Sequence, residues 1–197
     1  MITLRRATPG DAVEFVELLL ISSPYFPFLF GSGVNVALKD LFKRPSNLFS
    51  HQHVQIAEVA GSVAGMSLGY DWIVKSRENL RTGVLFSKNF GISMVFKIKD
   101  LLKFNATVGK FDIGEYYISN IATYPEFRGR GVGGSLIGNL EREAKILGAQ
   151  KIVLDVEKEN TGAINFYLHL RFYVVKKIII PIDGDRILEF LRMSKDL

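Results

Sequence analysis

The sequence predicts a mixed α/β fold in which one sheet carries helices on its faces. Three observations predict it. Strand-like segments at 2–6, 53–60 and 62–70 enclose two helical stretches; strand and helix patterns then alternate from 114 to about 170; and two final strands flank Asp183-Gly184, a strong hairpin signal. The order reads β-α-α-β-β, an insertion, then β-α-β-α-β-β.

Each element has its own local warrant. Residues 2–6 alternate enough for a short strand. Thr8-Pro9-Gly10-Asp11 reads as a helix start, with Thr8 at the N-cap, Pro9 at N1 and Asp11 at N3. Val13, Val16, Leu19 and Leu20 follow at helical spacing. Residues 22–33 read as a loop rich in Ser, Pro, Gly and aromatics, and 34–43 as a second helix. His53 to Ala60 and Ser62 to Tyr70 are strands around a tight turn at Gly61. Gly114 to Thr123 is a strand stopped by Tyr124-Pro125. Val132, Leu136, Ile137, Leu140, Ala144 and Leu147 mark one face of a long helix, closed by Gly148. Lys151 to Val156 is a buried strand, and Asn160 to Leu170 a short helix.

The segment from Asp71 to Asp112 has no clean period. Its 42 residues exceed what a connection needs, and structureless loops of that size are rare. It is expected to be an ordered, partly helical insertion between the third and fourth strands. Trp72, Leu80, Leu85, Phe86, Phe90, Phe96 and Phe104 give it apolar surface to fold onto a sheet edge, a dimer contact or the substrate side of the sheet.

Composition bounds the function. A chain of 197 residues, 48% hydrophobic and 23% charged, is expected to form a single domain over 1–197 with 71–112 as its insertion, not a disordered chain. With no cysteine there is no disulfide, thiolate metal site or cysteine-linked acyl-enzyme. The three histidines, His51, His53 and His169, lack ligand spacing, so no metal is expected. The net charge of +5 favours an anionic ligand. The basic residues are scattered, which argues against a nucleic-acid partner. The start of the chain lacks a signal-like apolar run, and Ile92 to Leu102 is too short and too charged to span a bilayer. A cytoplasmic protein with no membrane partner is therefore expected, and a homodimer is left open.

The chemistry concentrates in Arg128-Gly129-Arg130-Gly131-Val132-Gly133-Gly134-Ser135, between a strand and a long helix. A helix N-terminus exposes unpaired N–H groups and the positive end of the helix dipole. Glycines there admit a phosphate, and Arg128 and Arg130 add charge. The bland alternative is a turn of no chemical use. No Gly-Lys-Ser/Thr follows, so this is not a Walker loop. Gly129, Gly131 and Gly134 do satisfy G-x-G-x-x-G, with Asp155 21 residues beyond Gly134. A dinucleotide fold, however, runs its strand almost directly into the first glycine. Here Pro125 stops the strand early, and no second half of such a fold follows.

Two motifs resemble the GCN5-related N-acetyltransferase superfamily. Arg128, Gly131 and Gly133 match its Arg/Gln-x-x-Gly-x-Gly/Ala after a proline bend, and Asn160, Ala163, Phe166 and Tyr167 match its Asn-x-x-Ala-x-x-Phe-Tyr. Together they cover residues 114 to about 175. The resemblance implies a mostly antiparallel central sheet with helices on both faces. It also implies acetyl transfer from acetyl-CoA, as co-substrate, to a primary amine on a small molecule, a lysine or a protein N-terminus. Residues 128–135 would hold the pyrophosphate. Ile121, Ala122 and Thr123 would pair with pantetheine through their backbone, and Asn160 would hydrogen-bond it, a role compatible with a plain N-cap. Tyr167 would be the general acid; its alternative is ring packing alone.

The general base is read from the strand pattern instead. Glu115 shares a strict two-residue face with Tyr117, Ser119 and Ile121 and could border the cleft, although an exposed strand-end carboxylate is the ordinary reading. Asp155 is the second candidate. One departure from the family pattern is Arg171, where a glycine usually precedes the final Phe172, so the turn after Tyr167 is expected to be built differently. A CoA-binding module without catalysis is the alternative function, and a nucleotide- or nucleic-acid-binding protein a third.

Overall fold

The computed structural model describes residues 1–31, 33–89, 107–182 and 186–197. The Asp183-Gly184 turn and the middle of the insertion, with Phe90, Phe96 and Phe104, lie outside them.

The chain opens with β1 (Ile2–Arg6), and α1 (Ala12–Ser22) follows a short 3-10 turn. Thr8 and Asp11 form the predicted cap. The Asp11 carboxylate accepts from the Thr8 N–H at 2.7 Å and the Thr8 hydroxyl at 2.9 Å, and pairs with Arg5 of β1 at 2.6 Å. Strand and helix are thereby tied before any core forms. The buried face of α1 is Ala12, Phe15, Val16, Leu18 and Leu19, whereas Val13, counted on that face from the sequence, is about half exposed. The 22–33 segment, expected to be a loop, contains a five-residue helix, α2 (Phe26–Phe30). Its Phe26 and Leu29 are buried, so tertiary packing makes a helix of a short apolar run that Pro27 and the flanking Ser and Gly residues mark locally as a loop. α3 (Val34–Lys43) lies against α1, with Phe15 stacked on Phe42 at 4.3 Å. Rings of this kind stabilise by roughly 1.5–3 kcal/mol each on burial.

β2 (Val54–Val59) and β3 (Ser62–Asp71) form the predicted hairpin. The insertion starts as α4 (Trp72–Lys88), capped by Asp71, whose carboxylate accepts from the Val74 N–H at 2.8 Å. Then come β4 (Glu115–Thr123), α5 (Val132–Ile146), β5 (Lys151–Glu157), α6 (Thr161–His169), β6 (Tyr173–Ile182) and β7 (Arg186–Asp196). On α5, Leu147 proves about half exposed: it is the C-cap, and the apolar face ends at Ala144.

The seven strands form one sheet in the order β1-β2-β3-β4-β5-β7-β6. Neighbours are antiparallel except β4 and β5, which are parallel and joined through α5. The predicted mixed, mostly antiparallel sheet with helices on both faces is the one observed. One face packs under α1, α3 and α4 with Tyr117, Ala122 and Val153; the other packs under α5 and α6 with Tyr116, Ile118, Ile152 and Leu154.

Candidate active site

β4 and β5 are not paired along their whole length. Their register runs from Glu115↔Lys151 to Ile118↔Leu154 and stops there, while β4 continues to Thr123 and β5 to Glu157. A bulge marks the point of divergence. Leu68 of β3 opposes Asn120, and Gly69 opposes Ile118, so Ser119 is the extra residue. Bulges bend a strand and end pairing. This one is pinned by Asn120, whose buried amide donates to the Ser22 and Ser23 hydroxyls at the end of α1, each at 2.9 Å. The strands splay around a cleft of about 640 Å³, an ordinary size for a small-molecule site.

The cleft opens toward both faces of the sheet. On the α5–α6 side lies the glycine segment. Gly129 and Gly131 sit at φ 74° and 83°, a conformation other residues adopt at a cost, so they make the turn. Gly133 serves another purpose: a side chain there would press on the Phe166 ring at 3.0 Å, and its absence lets α5 approach α6. At Gly134 a Cβ would meet nothing within 4 Å. The backbone N–H groups of residues 129–134 donate to no described residue. The first intrahelical bond is from Ser135 N–H to Gly131 O, at 3.0 Å. The six N–H groups of 129–134 stand at the positive end of α5, where unpaired N–H groups suit an anion.

Of the residues expected to hold an anion, Arg128, Gly129, Gly131, Val132, Gly133 and Gly134 line the cleft, Val132 with its side chain buried in the core. Arg130 and Ser135 do not. Arg130 stacks over Phe127, and the Ser135 hydroxyl donates to Gly131 O. Ile121, Ala122 and Thr123 line the cleft on the part of β4 that has lost β5, leaving a strand edge open there. Asn160 caps α6, its oxygen accepting from the Ala163 N–H at 3.1 Å. Its amide nitrogen has no described partner, and the residue borders the cleft.

Tyr167 is buried, borders the cleft, and its hydroxyl makes no hydrogen bond to a described residue. Burial pushes its pKa up, so it stays protonated at neutral pH. The turn that follows is not built differently, as Arg171 led one to expect. Arg171 adopts the left-handed conformation at φ 67°. Its N–H donates to Leu168 O, and the Phe172 N–H to Tyr167 O, both at 3.0 Å, while the Tyr167 and Phe172 rings pack at 5.6 Å. This is the glycine-type helix stop, made without glycine.

The other side of the cleft is made of side chains. Tyr25, Val108, Tyr117, Phe190, Asp155 and Glu157 all line it. Asp155 is sealed in a bidentate pair with Arg192 at 2.7 and 2.6 Å, and it also accepts from the Gly109 N–H at 2.8 Å and the Tyr117 hydroxyl at 3.3 Å. Arg192 further donates to Lys110 O. Asp155 therefore anchors the end of the insertion, its Oδ2 accepting three hydrogen bonds and its Oδ1 one from Arg192. Glu157, two residues on and on the same strand face, is partly buried, with no side-chain partner among the described residues. Desolvation pushes its pKa up.

Glu115 does not reach the cleft. Its carboxylate accepts from the Asp112 N–H at 2.9 Å at the start of β4. Glu115 shares a face with the cleft-lining Tyr117, but it stands opposite Lys151, where β4 is still paired with β5, and the strands part only beyond Ile118. The bulge at Ser119 then puts Tyr117, Asn120 and Ala122 on one face and Ile121 on the other. The described helix of the insertion, α4, packs on α3 and β3 away from the cleft, and Val108 is the described insertion residue that lines it. His51 contacts Phe42 O, His53 contacts Glu78 and His169 contacts Asn165 O, so each has a structural partner. Among the described residues no group of three or more His, Asp or Glu side chains converges as metal ligands would, and no helix is long and apolar enough to cross a membrane.

Sequence reasoning missed Tyr25, Val108, Glu157 and Phe190. Only Glu157 had a local signal, its two-residue offset from Asp155 at the end of β5.

Known proteins share this architecture. An N-acetyltransferase of Staphylococcus aureus matches at TM-score 0.72, with 19% identity, over 98% of this chain and 100% of that one. A GNAT family acetyltransferase of Elizabethkingia anophelis, solved with acetyl-CoA bound, matches at TM-score 0.59, with 17% identity, over 100% and 98%. These are likenesses of fold. In sequence, an acetyltransferase of Pectobacterium atrosepticum is 35% identical over 74 residues, 38% of this chain, and an uncharacterized N-acetyltransferase of Methanocaldococcus jannaschii is 40% identical over 67 residues, 34% of this chain. The chain spans 48% and 29% of the length of these two relatives. The model of the acetyltransferase (GNAT) family matches residues 16–172. With the split strands and the glycine cradle inside that span, the chain belongs to the acetyltransferase (GNAT) family.

Proposed function

We propose that the protein is an acetyl-CoA-dependent N-acetyltransferase acting on a primary amine, with residues 1–197 working as one domain. The observation that carries the reading is the cleft itself: the free backbone N–H groups of Gly129, Gly131, Val132, Gly133 and Gly134 at one end, an open strand edge beside them, and a protonated tyrosine facing the same space. The residues fit the coenzyme. The N–H groups of 129–134 would hold its pyrophosphate, the edge of Ile121–Thr123 its pantetheine arm, and the Asn160 amide a carbonyl of that arm. Bound there, acetyl-CoA supplies a thioester that an amine attacks directly.

The chain's own residues then manage two protons. Glu157, in place of Glu115, takes the proton from the incoming ammonium, directly or through water. Its raised pKa brings it nearer the operating pH of a general base. Tyr167 donates to the departing sulfur. Burial raises the pKa of the thiol as well as that of the phenol, so the transfer is not penalised by the tyrosine's weak acidity alone.

Thiol release from acetyl-CoA with an amine acceptor tests the reading. Tyr167→Phe keeps the ring packing and deletes the hydroxyl. The rate is expected to fall on the order of 10²–10⁴-fold with coenzyme affinity nearly unchanged. An undiminished rate assigns the proton to water. The rate should also climb with pH through an ascending limb displaced above the usual carboxylate range, because only ionised Glu157 accepts a proton. Glu157→Gln should remove that limb; a limb that survives places the base elsewhere.

A further inference from the structure

The two mouths of the cleft differ in what they can recognise, and the one away from the cradle has a definite chemical character. Tyr25 meets Phe190 edge to face at 5.5 Å. Phe190 stands directly across from Glu157 in the β5–β7 register, and Asp155 stands across from Arg192. Tyr117, hydrogen-bonded to Asp155, Val108 and Ile21 add to the lining. The polar Ser22, Ser23 and Asn120 that also line the cleft are hydrogen-bonded to one another. The surface is thus largely apolar and aromatic, with one carboxylate at its rim.

The charges decide what enters. Glu157 has no side-chain partner among the described residues, whereas the cations around Asp155 and Glu157 have theirs, Lys75 donating to Gly109 O and lying over the Phe111 ring. Arg192 is neutralised by Asp155, and Lys158 pairs with Glu189 at 2.7 Å. An acidic acceptor would face an uncompensated carboxylate. A polyamine would bring two or more ammonium groups to a wall that offers one carboxylate and leaves the others against rings, an unfavourable desolvation. A single ammonium a few bonds from an apolar ring satisfies both features: the charge pairs with Glu157, and the ring is buried among aromatics, with a cation–π contribution from the same surface.

We infer that the acceptor is a primary amine carried on an aromatic or comparably apolar group, recognised by Tyr25, Val108, Tyr117 and Phe190 with its nitrogen at Glu157. This rests on the acetyl-transfer reading and narrows it. The same chemistry occurs in a small arylalkylamine and in a peptide that begins with phenylalanine.

The test is calorimetric binding of amines to the full chain loaded with CoA, preceded by titration of CoA alone. 2-Phenylethylamine is expected to bind roughly 10–100-fold more tightly than ethylamine, the return on burying one ring. It should likewise exceed putrescine and glutamate. Tyr25→Ala should shrink the preference over ethylamine while CoA binding persists, and Glu157→Gln should weaken every monoamine alike. Comparing turnover of phenylethylamine with that of a short Phe-initiated peptide identifies the source, and preference for either supports the inference. Equal affinity for phenylethylamine and ethylamine, or preference for putrescine or glutamate, overturns it and leaves acetyl transfer standing. Failure of CoA alone to bind overturns the acetyl-transfer reading, and the inference with it.

Discussion

The two walls of the cleft are built from different material. On the α5–α6 side the cleft is lined chiefly by backbone: the free N–H groups of Gly129 and residues 131–134 and the unpaired edge of β4. On the opposite side they are side chains drawn from five separate stretches: Tyr25, Val108, Tyr117, Glu157 and Phe190. The free N–H groups need only a local conformation, which a run of eight residues makes, whereas the open edge of β4 depends on where that strand leaves β5. A side-chain wall exists only after the sheet has brought β4, β5 and β7 together, and it is free to vary without disturbing the first.

Three substitutions probe the division, in descending order of expected effect. Arg192→Met attacks the side-chain wall at its anchor. Asp155 has a side chain only 1% exposed, so losing its partner leaves a buried charge uncompensated. The expected cost is about 3–5 kcal/mol in urea unfolding. Replacing Asp155 by Leu in the same chain should recover most of it, because a buried pair exchanged for apolar groups is often neutral. Full stability in the single variant would mean that water enters and solvates Asp155, and that the anchor is not one.

Gly134→Glu attacks the backbone wall and leaves the other alone. Its Cβ would meet no neighbour, and an acidic residue in the first turn of α5 suits the helix dipole, so the fold should be unharmed. The new charge opposes a pyrophosphate. Two like charges about 4 Å apart at a partly solvated site repel by up to ~4 kcal/mol. CoA affinity measured by calorimetry should therefore fall on the order of 10²-fold or more. Unchanged affinity in the folded variant would remove the cradle from the coenzyme site.

Arg171→Gly sharpens the comparison at the hinge between the walls, where α6 ends behind Tyr167. The left-handed conformation costs a non-glycine residue roughly 1–2 kcal/mol, partly offset by the greater freedom glycine loses on folding. The variant should gain about 1 kcal/mol or less in thermal or urea unfolding, with thiol-release kinetics unchanged. A loss of stability would show that the Arg171 side chain contributes more than its backbone costs.

The same contrast explains what could be read in advance. β1, both strands of the first hairpin, α3, β4, β5 and α6 were legible because period, caps and breakers are properties of a few adjacent residues. Leu147 and Val13 were placed on helix faces they do not join, since periodicity does not say where the sheet ends beneath a helix. α2 was invisible because its reason for being helical, the burial of Phe26 and Leu29, lies in other segments. Arg171 was read as a break in the turn, yet backbone hydrogen bonds and the Tyr167–Phe172 contact carry that turn without a glycine.

Glu115 is the instructive miss. In a regular strand every second residue shares a face, which puts Glu115 with Tyr117. Tyr117 on that face does line the cleft, but β4 and β5 part only beyond Ile118, so Glu115 stands at the paired end, and no local signal announces that split or the bulge at Ser119. What the sequence by itself determined is the sheet's composition, the glycine turn that frees six N–H groups, the cap at Asn160 and the position of Tyr167 after it. Each follows from interactions between residues within about one helical turn of each other. What only the tertiary structure decided is where β4 leaves β5, which carboxylate stands in the resulting gap, and which rings surround it. Those depend on pairings such as Asp155 with Arg192, 37 residues away, and Asn120 with Ser22, 98 residues away, whose partners no short-range pattern specifies.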